Sequence, residues 1–182
     1  MYKLLFALLM TVGTAMCAQQ KQKMNSKHSN SKILVAYFSA TGTTARAAEK
    51  LVEAVGGDLY PIAPAQSYTS ADLDWNNKQS RSSVEMNNPK MRPAIKSKKE
   101  NIGTYDVVFI GYPIWWDLAP RIINTFIESH SLKGKTVVPF ATSGGSSIGN
   151  SATVLKKTYP DLNWKEGRLL NRTDEKAIRA WL

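Results

Sequence analysis

The sequence is poor in the side chains that most often form disulfides and metal sites. It has one cysteine, Cys17, and two histidines, His28 and His130, among 182 residues. A single cysteine excludes an intramolecular disulfide, because each bridge requires two. Neither histidine belongs to a group of His, Cys, Asp and Glu with the spacing of metal ligands. We therefore expect neither a disulfide framework nor a metal centre.

Two nucleotide-binding motifs are also missing. The chain has no G-x-x-x-x-G-K-[ST] loop and no G-x-G-x-x-G fingerprint. This excludes a P-loop phosphate site and the usual dinucleotide-binding turn. No arrangement of Ser, His and Asp is evident either, so the sequence predicts no catalytic side chain.

Acidic residues are scarce. The chain has 14 Asp and Glu against 24 Lys and Arg, which gives a formal net charge of +10. Such a balance favours anionic ligands and acidic partners, or simply indicates a solvated basic surface. No nucleic-acid-binding motif accompanies the charge, so we expect no nucleic-acid partner.

The sequence contains no long hydrophobic run. The longest near its start, Leu4 to Val12, is too short for a comfortable membrane span. With Lys3 before it and small residues after it, the run predicts a signal peptide over residues 1–18 and export to the bacterial periplasm. Lipidation of Cys17 is the alternative, and only that route would attach the protein to a membrane. Residues 19–31 are polar and basic and predict a flexible tether.

Apolar runs alternate with helical patterns from residue 32 to residue 182. Strands are predicted at Ile33–Phe38, Asp58–Ile62, 107–113 and 135–143, with one or two short strands within 161–170. Helices are predicted at Thr43–Val55, Thr69–Met86, Asp117–His130, in the segment after residue 145, and at Thr173–Leu182 with Thr173 or Asp174 as the cap; a short helix is predicted near Ile95. This alternation predicts an α/β fold, a doubly wound parallel sheet of five strands with helices on both faces.

Ligands of such sheets bind outside the carboxyl ends of the strands, so the loops there are the candidate sites. The first loop follows Phe38 and holds Ser39, Thr41, Gly42, Thr43 and Thr44. Hydroxyl groups, a glycine and a helix N-terminus together favour a bound phosphate. An ordinary helix cap is the alternative, because Ser and Thr are common there.

Two further loops complete this edge of the sheet. The second contains the adjacent tryptophans, whose faces can stack on a planar ligand or fill the core; its residues are Pro113, Ile114, Trp115 and Trp116. The third is rich in Gly and Ser and can bring its backbone close to a flat ligand, or be a flexible surface loop; its residues are Thr142, Ser143, Gly144, Gly145 and Gly149.

The three loops, in this order and after these strands, resemble the cofactor loops of flavodoxins. The segments are "SATGTT", "GYPIWWDLAP" and "TSGGSSIGNS". The sequence is most similar to a bacterial flavodoxin-like subfamily with a "GYPIWW" loop, from residue 32 to residue 182. The resemblance implies non-covalent binding of FMN. It assigns the first loop to the phosphate, the second and third loops to the two sides of the isoalloxazine, and places Tyr68 at the border.

The resemblance implies a redox protein that transfers electrons or reduces a substrate through its flavin. The expected partner is a redox protein or a small quinone-like acceptor. The basic charge departs from electron-carrier flavodoxins, which are usually acidic. The alternative is an exported binding module that keeps the fold and uses the anion site for another ligand.

Overall fold

The computed structural model describes residues 31–171 and 175–181. The predicted signal peptide, Cys17, all but the last residue of the tether, and the caps Thr173 and Asp174 lie outside the described residues. No helix in the described part of the chain is long and apolar enough to cross a membrane.

Helices and strands alternate along the chain as predicted. The helices are α1 (Thr43–Val55), α2 (Arg81–Asn87), α3 (Arg121–Ser129), α4 (Gly149–Thr158) and α5 (Glu175–Trp181), with a 3₁₀ turn at Ile102–Thr104. The strands are β1 (Ile33–Tyr37), β2 (Asp58–Pro61), β3 (Val107–Pro113), β4 (Thr136–Thr142), β5 (Asn163–Trp164) and β6 (Arg168–Leu169).

All strands of the sheet run parallel. Their order is β2-β1-β3-β4-β5, and β6 also pairs with β4. Strands β5 and β6 are two halves of one edge position: β5 pairs with the start of β4, and β6 pairs with Phe140 and Ala141 near its end. The predicted doubly wound five-stranded sheet is confirmed.

A proline in β4 accounts for the break between β5 and β6. Pro139 has no N–H to donate. Its ring and carbonyl also crowd the edge: a Cβ at Gly167 would lie 2.8 Å from Pro139 Cγ and 2.9 Å from its oxygen. After Lys165 N donates to Val137 O, the fifth strand therefore leaves the ladder at residues 166 and 167 and rejoins it at Arg168.

The two faces of the sheet carry separate cores. Alternate residues of β1 point to opposite sides, so Leu34, Ala36 and Phe38 join the core beneath α3 and α4, whereas Val35 joins the one beneath α1 and α5. Helix α3 supplies Ile122, Ile123, Phe126 and Ile127 to the first core. Helix α1 supplies small residues and one leucine to the second: Ala47, Ala48, Leu51 and Ala54.

The predicted helix at Thr69–Met86 is wrong over most of its length. Residues 69–80 form successive turns, and only α2 is helical. Asp and Asn side chains accept bonds from nearby backbone N–H groups: Asn76 N donates to Asp74 Oδ1, and Gln79 N donates to Asn77 Oδ1. These local bonds compete with the helical ladder.

Two smaller predictions also need correction. Ile95 is not helical but forms an antiparallel bridge with Pro64. Helix α3 begins at Arg121 rather than Asp117, because Asp117 has a left-handed backbone with φ 61° and Pro120 caps the helix.

Gly111 in β3 offers a test of the core packing. A Cβ there would lie 2.2 Å from Phe140 Cζ. We expect Gly111→Ala to lower the free energy of unfolding by about 2–3 kcal/mol, because the ring must leave its position in a packed core. Urea denaturation followed by circular dichroism measures this. Gly103→Ala is the control: no atom lies within 4 Å of its Cβ position, and we expect a change below about 1 kcal/mol. Equal effects would contradict the packing described for β3 and β4.

Candidate functional site

The first loop presents a helix N-terminus without a side-chain cap. Gly42 is the N-cap of α1 with φ 86°, and a glycine has no side chain with which to bond the first amides of the helix. A positive φ is readily adopted by glycine and rarely by other residues. The first turn contains no acidic residue. The free N–H groups and the helix dipole therefore create a local positive potential at Gly42.

The hydroxyl groups around this turn have different roles. Ser39 Oγ is buried and has no hydrogen-bond partner among the described residues. Thr41 is exposed. Thr44 is buried, and its Oγ1 lies 2.9 Å from Thr142 Oγ1 at the end of β4. Ser39 and Thr41 are thus free to bind a ligand, while Thr44 also connects the first loop to the third.

The second loop is a tight turn with unusual backbone angles. Trp115 N donates to Leu118 O at 3.0 Å, and Leu118 N donates to Trp115 O at 2.9 Å. The two residues in the middle of the turn, Trp116 and Asp117, have φ values of 47° and 61°. Two successive positive φ values suit glycine or asparagine, and other residues adopt them at a cost of order 1 kcal/mol or more. Asn150 Nδ2 of α4 donates to Asp117 O at 3.2 Å. The turn leaves the Trp116 side chain half-exposed beside the loop.

Trp115 faces inward, unlike Trp116. Its ring packs edge-on against Phe38 and Tyr68, with centroid distances of 5.5 and 5.4 Å. Both contacts have the T-shaped geometry that aromatic pairs favour. The two tryptophans therefore divide the roles that the sequence left open: one is packed and the other is presented to solvent.

A buried polar network lies behind Trp115. Tyr68 Oη donates to Glu85 Oε2 at 2.5 Å, and Arg81 Nε donates to Glu85 Oε1 at 2.7 Å. The Arg81 guanidinium also lies over the Tyr68 ring, 4.0 Å from its centroid. Burial and the bond to Glu85 raise the pKa of Tyr68 well above its usual range. The network holds Tyr68 protonated against Trp115.

The third loop is held mainly by its own bonds and by one asparagine. Ser143 N–H donates to Asn171 Oδ1 at 2.8 Å, and Asn171 Nδ2 donates to Ser143 O at 2.6 Å. Ser143 Oγ accepts from the amides of Gly145 and Ser146. The side chain and both backbone groups of Ser143 are therefore already engaged, whereas no bond within the loop uses the amide of Gly144.

The spacing of Gly145 to Gly149 also matches G-x-S-x-G, the pattern around the nucleophile of many hydrolases. Ser147 stands at the nucleophile position, and its Oγ accepts from Gly149 N at 3.4 Å. His130 supplies no base to it: one ring nitrogen lies 2.7 Å from Phe126 O, and the other accepts from Lys99 N. Among the described residues, His130 therefore does not pair with Ser147 as a nucleophile and its base.

A cavity of about 370 Å³ lies between the first two loops. Volumes of this order are typical of small-ligand sites. The lining residues come from the first loop, the second loop, the connection before α2 and the start of α2: Ala40, Thr41, Thr44, Leu73, Trp75, Ser82, Pro113, Ile114, Trp115 and Trp116. The structure thus brings together Thr41, Thr44 and the four predicted residues of the second loop.

The predicted residues of the third loop do not line this cavity. Thr142 is hydrogen-bonded to Thr44, which lines the cavity, but Thr142 is not itself part of the wall. Ser39, Gly42 and Thr43 lie in the same turn as the lining residues Thr41 and Thr44 without being part of the wall.

Leu73, Trp75 and Ser82 were not predicted. They belong to the segment predicted as one helix, and that prediction did not indicate that these three residues line the same cavity. Trp75 is 72% exposed, a large value for an indole. A tryptophan within an otherwise polar segment was the signal that could have indicated it.

The described residues contain no group of three or more His, Cys, Asp and Glu side chains able to hold a metal ion. The donors available at the cavity are hydroxyls, backbone amides and indole rings. Such a set suits an organic anion with a planar part.

Comparison with known proteins agrees with this geometry. Residues 32–182 match the model of a flavodoxin family. The chain belongs to the flavodoxin family. No curated protein matches the sequence.

Solved structures carry the same fold. A protein from Bacteroides eggerthii DSM 20697, provisionally assigned as a flavoprotein, is 96% identical, with 84% of this chain and 96% of that chain covered and a TM-score of 0.84. A second such protein, from Bacteroides uniformis ATCC 8492, is 60% identical, with coverage of 83% and 97% and a TM-score of 0.81. A flavoprotein from Lactobacillus acidophilus NCFM, solved in complex with FMN, is 22% identical, with coverage of 78% and 94% and a TM-score of 0.67; this likeness concerns the fold alone.

Two carboxylates in this flavodoxin allow a matched test of the network behind Trp115. Glu85 and Glu128 each bind one arginine and one tyrosine, but their side chains are 4% and 41% exposed. We expect Glu85→Ala to lower the free energy of unfolding by about 3–5 kcal/mol, because Arg81 loses its buried partner. Glu128→Ala should cost about 1 kcal/mol. Chemical denaturation of both variants measures the difference, and equal losses would show that burial does not govern the network.

Proposed function

We propose that this flavodoxin binds FMN in the cavity and acts as a redox protein. The observation that carries the proposal is the lining of the cavity: Thr41 and Thr44, at the uncapped start of α1, share its wall with the two tryptophans of the second loop. The ends of FMN differ in the same way, since one is a phosphate and the other a planar aromatic ring system.

The first loop fits the phosphate. Ser39 Oγ is a buried hydroxyl without a partner, which a phosphate oxygen would satisfy. The amides that start α1 lack a side-chain cap, and Thr41 and Thr43 add exposed hydroxyl groups. These groups would hold the phosphate by hydrogen bonds and by the helix dipole.

The second loop and its neighbours fit the ring system. Trp115 is held edge-on by Phe38 and Tyr68, and Trp116 is half-exposed at the cavity. Trp75 faces the same cavity. These indoles would cover the isoalloxazine and exclude water from it. The amide of Gly144 is not used by the bonds within the third loop, and we propose that it borders the ring although it does not line the cavity.

Bound FMN would supply the redox chemistry, accepting and releasing electrons. The side chains of the chain bind and orient the cofactor, and no acid or base among them is required. The fold relatives support a flavoprotein. Whether the electrons go to a redox protein or to a small quinone-like acceptor distinguishes a carrier from an enzyme, and the half-exposed Trp116 is compatible with either. We further propose that the protein works in the bacterial envelope, since residues 1–18 have the pattern of a signal peptide.

FMN binding is testable on the purified protein. We expect titration with FMN to quench flavin fluorescence and to shift the flavin absorption bands, with a dissociation constant in the micromolar range or below. Trp116→Ala should weaken binding by about 5- to 30-fold, because a stacking face of roughly 1–2 kcal/mol is lost. Leu59→Ala is the control, since Leu59 is an exposed apolar residue outside the cavity wall; we expect its affinity to match the wild type.

Unchanged flavin fluorescence and absorption bands at high protein and FMN concentrations would contradict the proposal. That result would favour the alternative of a non-redox binding module, in which the uncapped turn at Gly42 binds another anion. A normal affinity in Trp116→Ala would instead place the ring system elsewhere in the site.

A further inference from the structure

We propose that Arg46 is a phosphate-binding residue of this site and gives it selectivity for phosphorylated flavin over riboflavin. The inference rests on the proposed function. Arg46 lies in α1, one turn after Gly42, and it is not among the site residues predicted from the sequence.

The guanidinium folds back over the phosphate loop. Arg46 Nη2 lies 3.4 Å from Thr43 Oγ1, and a Cβ built on Gly42 would lie 3.3 Å from Arg46 Nη1. The side chain of Arg46 is otherwise exposed to solvent. The charge therefore lies beside the uncapped amides, within reach of a phosphate that accepts from Thr43.

The position is electrostatically unfavourable without an anion. A cation near a helix N-terminus opposes the helix dipole, and the first turn of α1 contains no acidic residue to offset it. The two ion pairs seen within residues 31–171 and 175–181 join other arginines, Arg81 and Arg92, to glutamates. A bound phosphate would be the counter-charge that Arg46 lacks.

Three features thus converge on one anion: the helix N-terminus, the buried unpartnered Ser39 Oγ and the guanidinium of Arg46. A phosphate monoester carries up to two negative charges near neutral pH. Charge-assisted bonds to it are stronger than neutral ones and weaken as salt screens the charge. Riboflavin, which lacks the phosphate, gains nothing from Arg46.

The test compares Arg46→Gln with Lys50→Gln. Each variant removes one exposed positive charge from α1, but Lys50 lies one further turn away from the loop. We expect Arg46→Gln to weaken FMN binding about tenfold and to flatten its salt dependence, with riboflavin binding unchanged. Lys50→Gln should change FMN affinity less than twofold, and Arg46→Lys should retain part of it.

Equal effects of Arg46→Gln and Lys50→Gln would overturn the assignment, since only the net charge would then matter. A parallel loss of riboflavin affinity would also overturn it, because the role would be structural. If the wild type binds no FMN, the proposed function fails on its own. Inorganic phosphate then decides about Arg46: an increase in the melting temperature of the wild type but not of Arg46→Gln would support the assignment, and no increase in either would end it.

Discussion

The parallel register of β1, β3 and β4 is the constraint on which the site depends. Tyr37 of β1 pairs with Gly111 of β3, and Pro113 of β3 pairs with Thr142 of β4. Because the strands are parallel, their carboxyl ends lie at one edge and the three loops begin there together. The hydroxyl bond between Thr44 and Thr142 then joins the first loop to the third across a sequence separation of 98 residues. A slip of one residue in β4 would turn the Thr142 side chain to the opposite face of the sheet and break this bond.

The second loop, at the same edge of the sheet, has a backbone conformation that costs stability. Trp116 and Asp117 have left-handed backbones although neither is glycine, and Trp116 remains half-exposed. The bonds between Trp115 and Leu118, together with Asn150 on Asp117, hold this turn against its strain. Strained residues persist where the surrounding contacts over-determine them, and they concentrate at functional sites. The strain here has one visible result, an indole presented beside the cavity.

The sequence predicted the central strands and α1 because burial leaves a strong pattern. Residues 107–113 are apolar throughout, as a strand covered on both faces must be, and Ala47, Ala48 and Leu51 mark the buried side of α1. The loops could be found because they follow from the strands. The segment 69–80 has no such pattern, since its structure rests on local side-chain bonds rather than on burial, and Trp75 was missed with it.

Contacts between distant side chains could not be predicted from one sequence. Asn171 fixes Ser143 from 28 residues away, and Glu85 holds Tyr68 from 17 residues away. Neither pair has a motif, because each requires only that the fold bring two polar groups together. The sequence therefore indicated which loops form the site but not what orients them.

These orienting bonds explain how the site can exist before a ligand arrives. Trp115 is held by Phe38 and Tyr68, and Thr44 by Thr142, so these parts of the cavity wall do not depend on a ligand for their position. A preformed site loses less conformational entropy on binding than a flexible one. In the first loop, by contrast, Ser39 Oγ has no partner among the described residues, and the N-cap Gly42 provides no side-chain bond to the first amides of α1. The aromatic end is thus complete in the protein alone, whereas the phosphate end is completed by its anion, and the negative end of the ligand should contribute most of the selectivity.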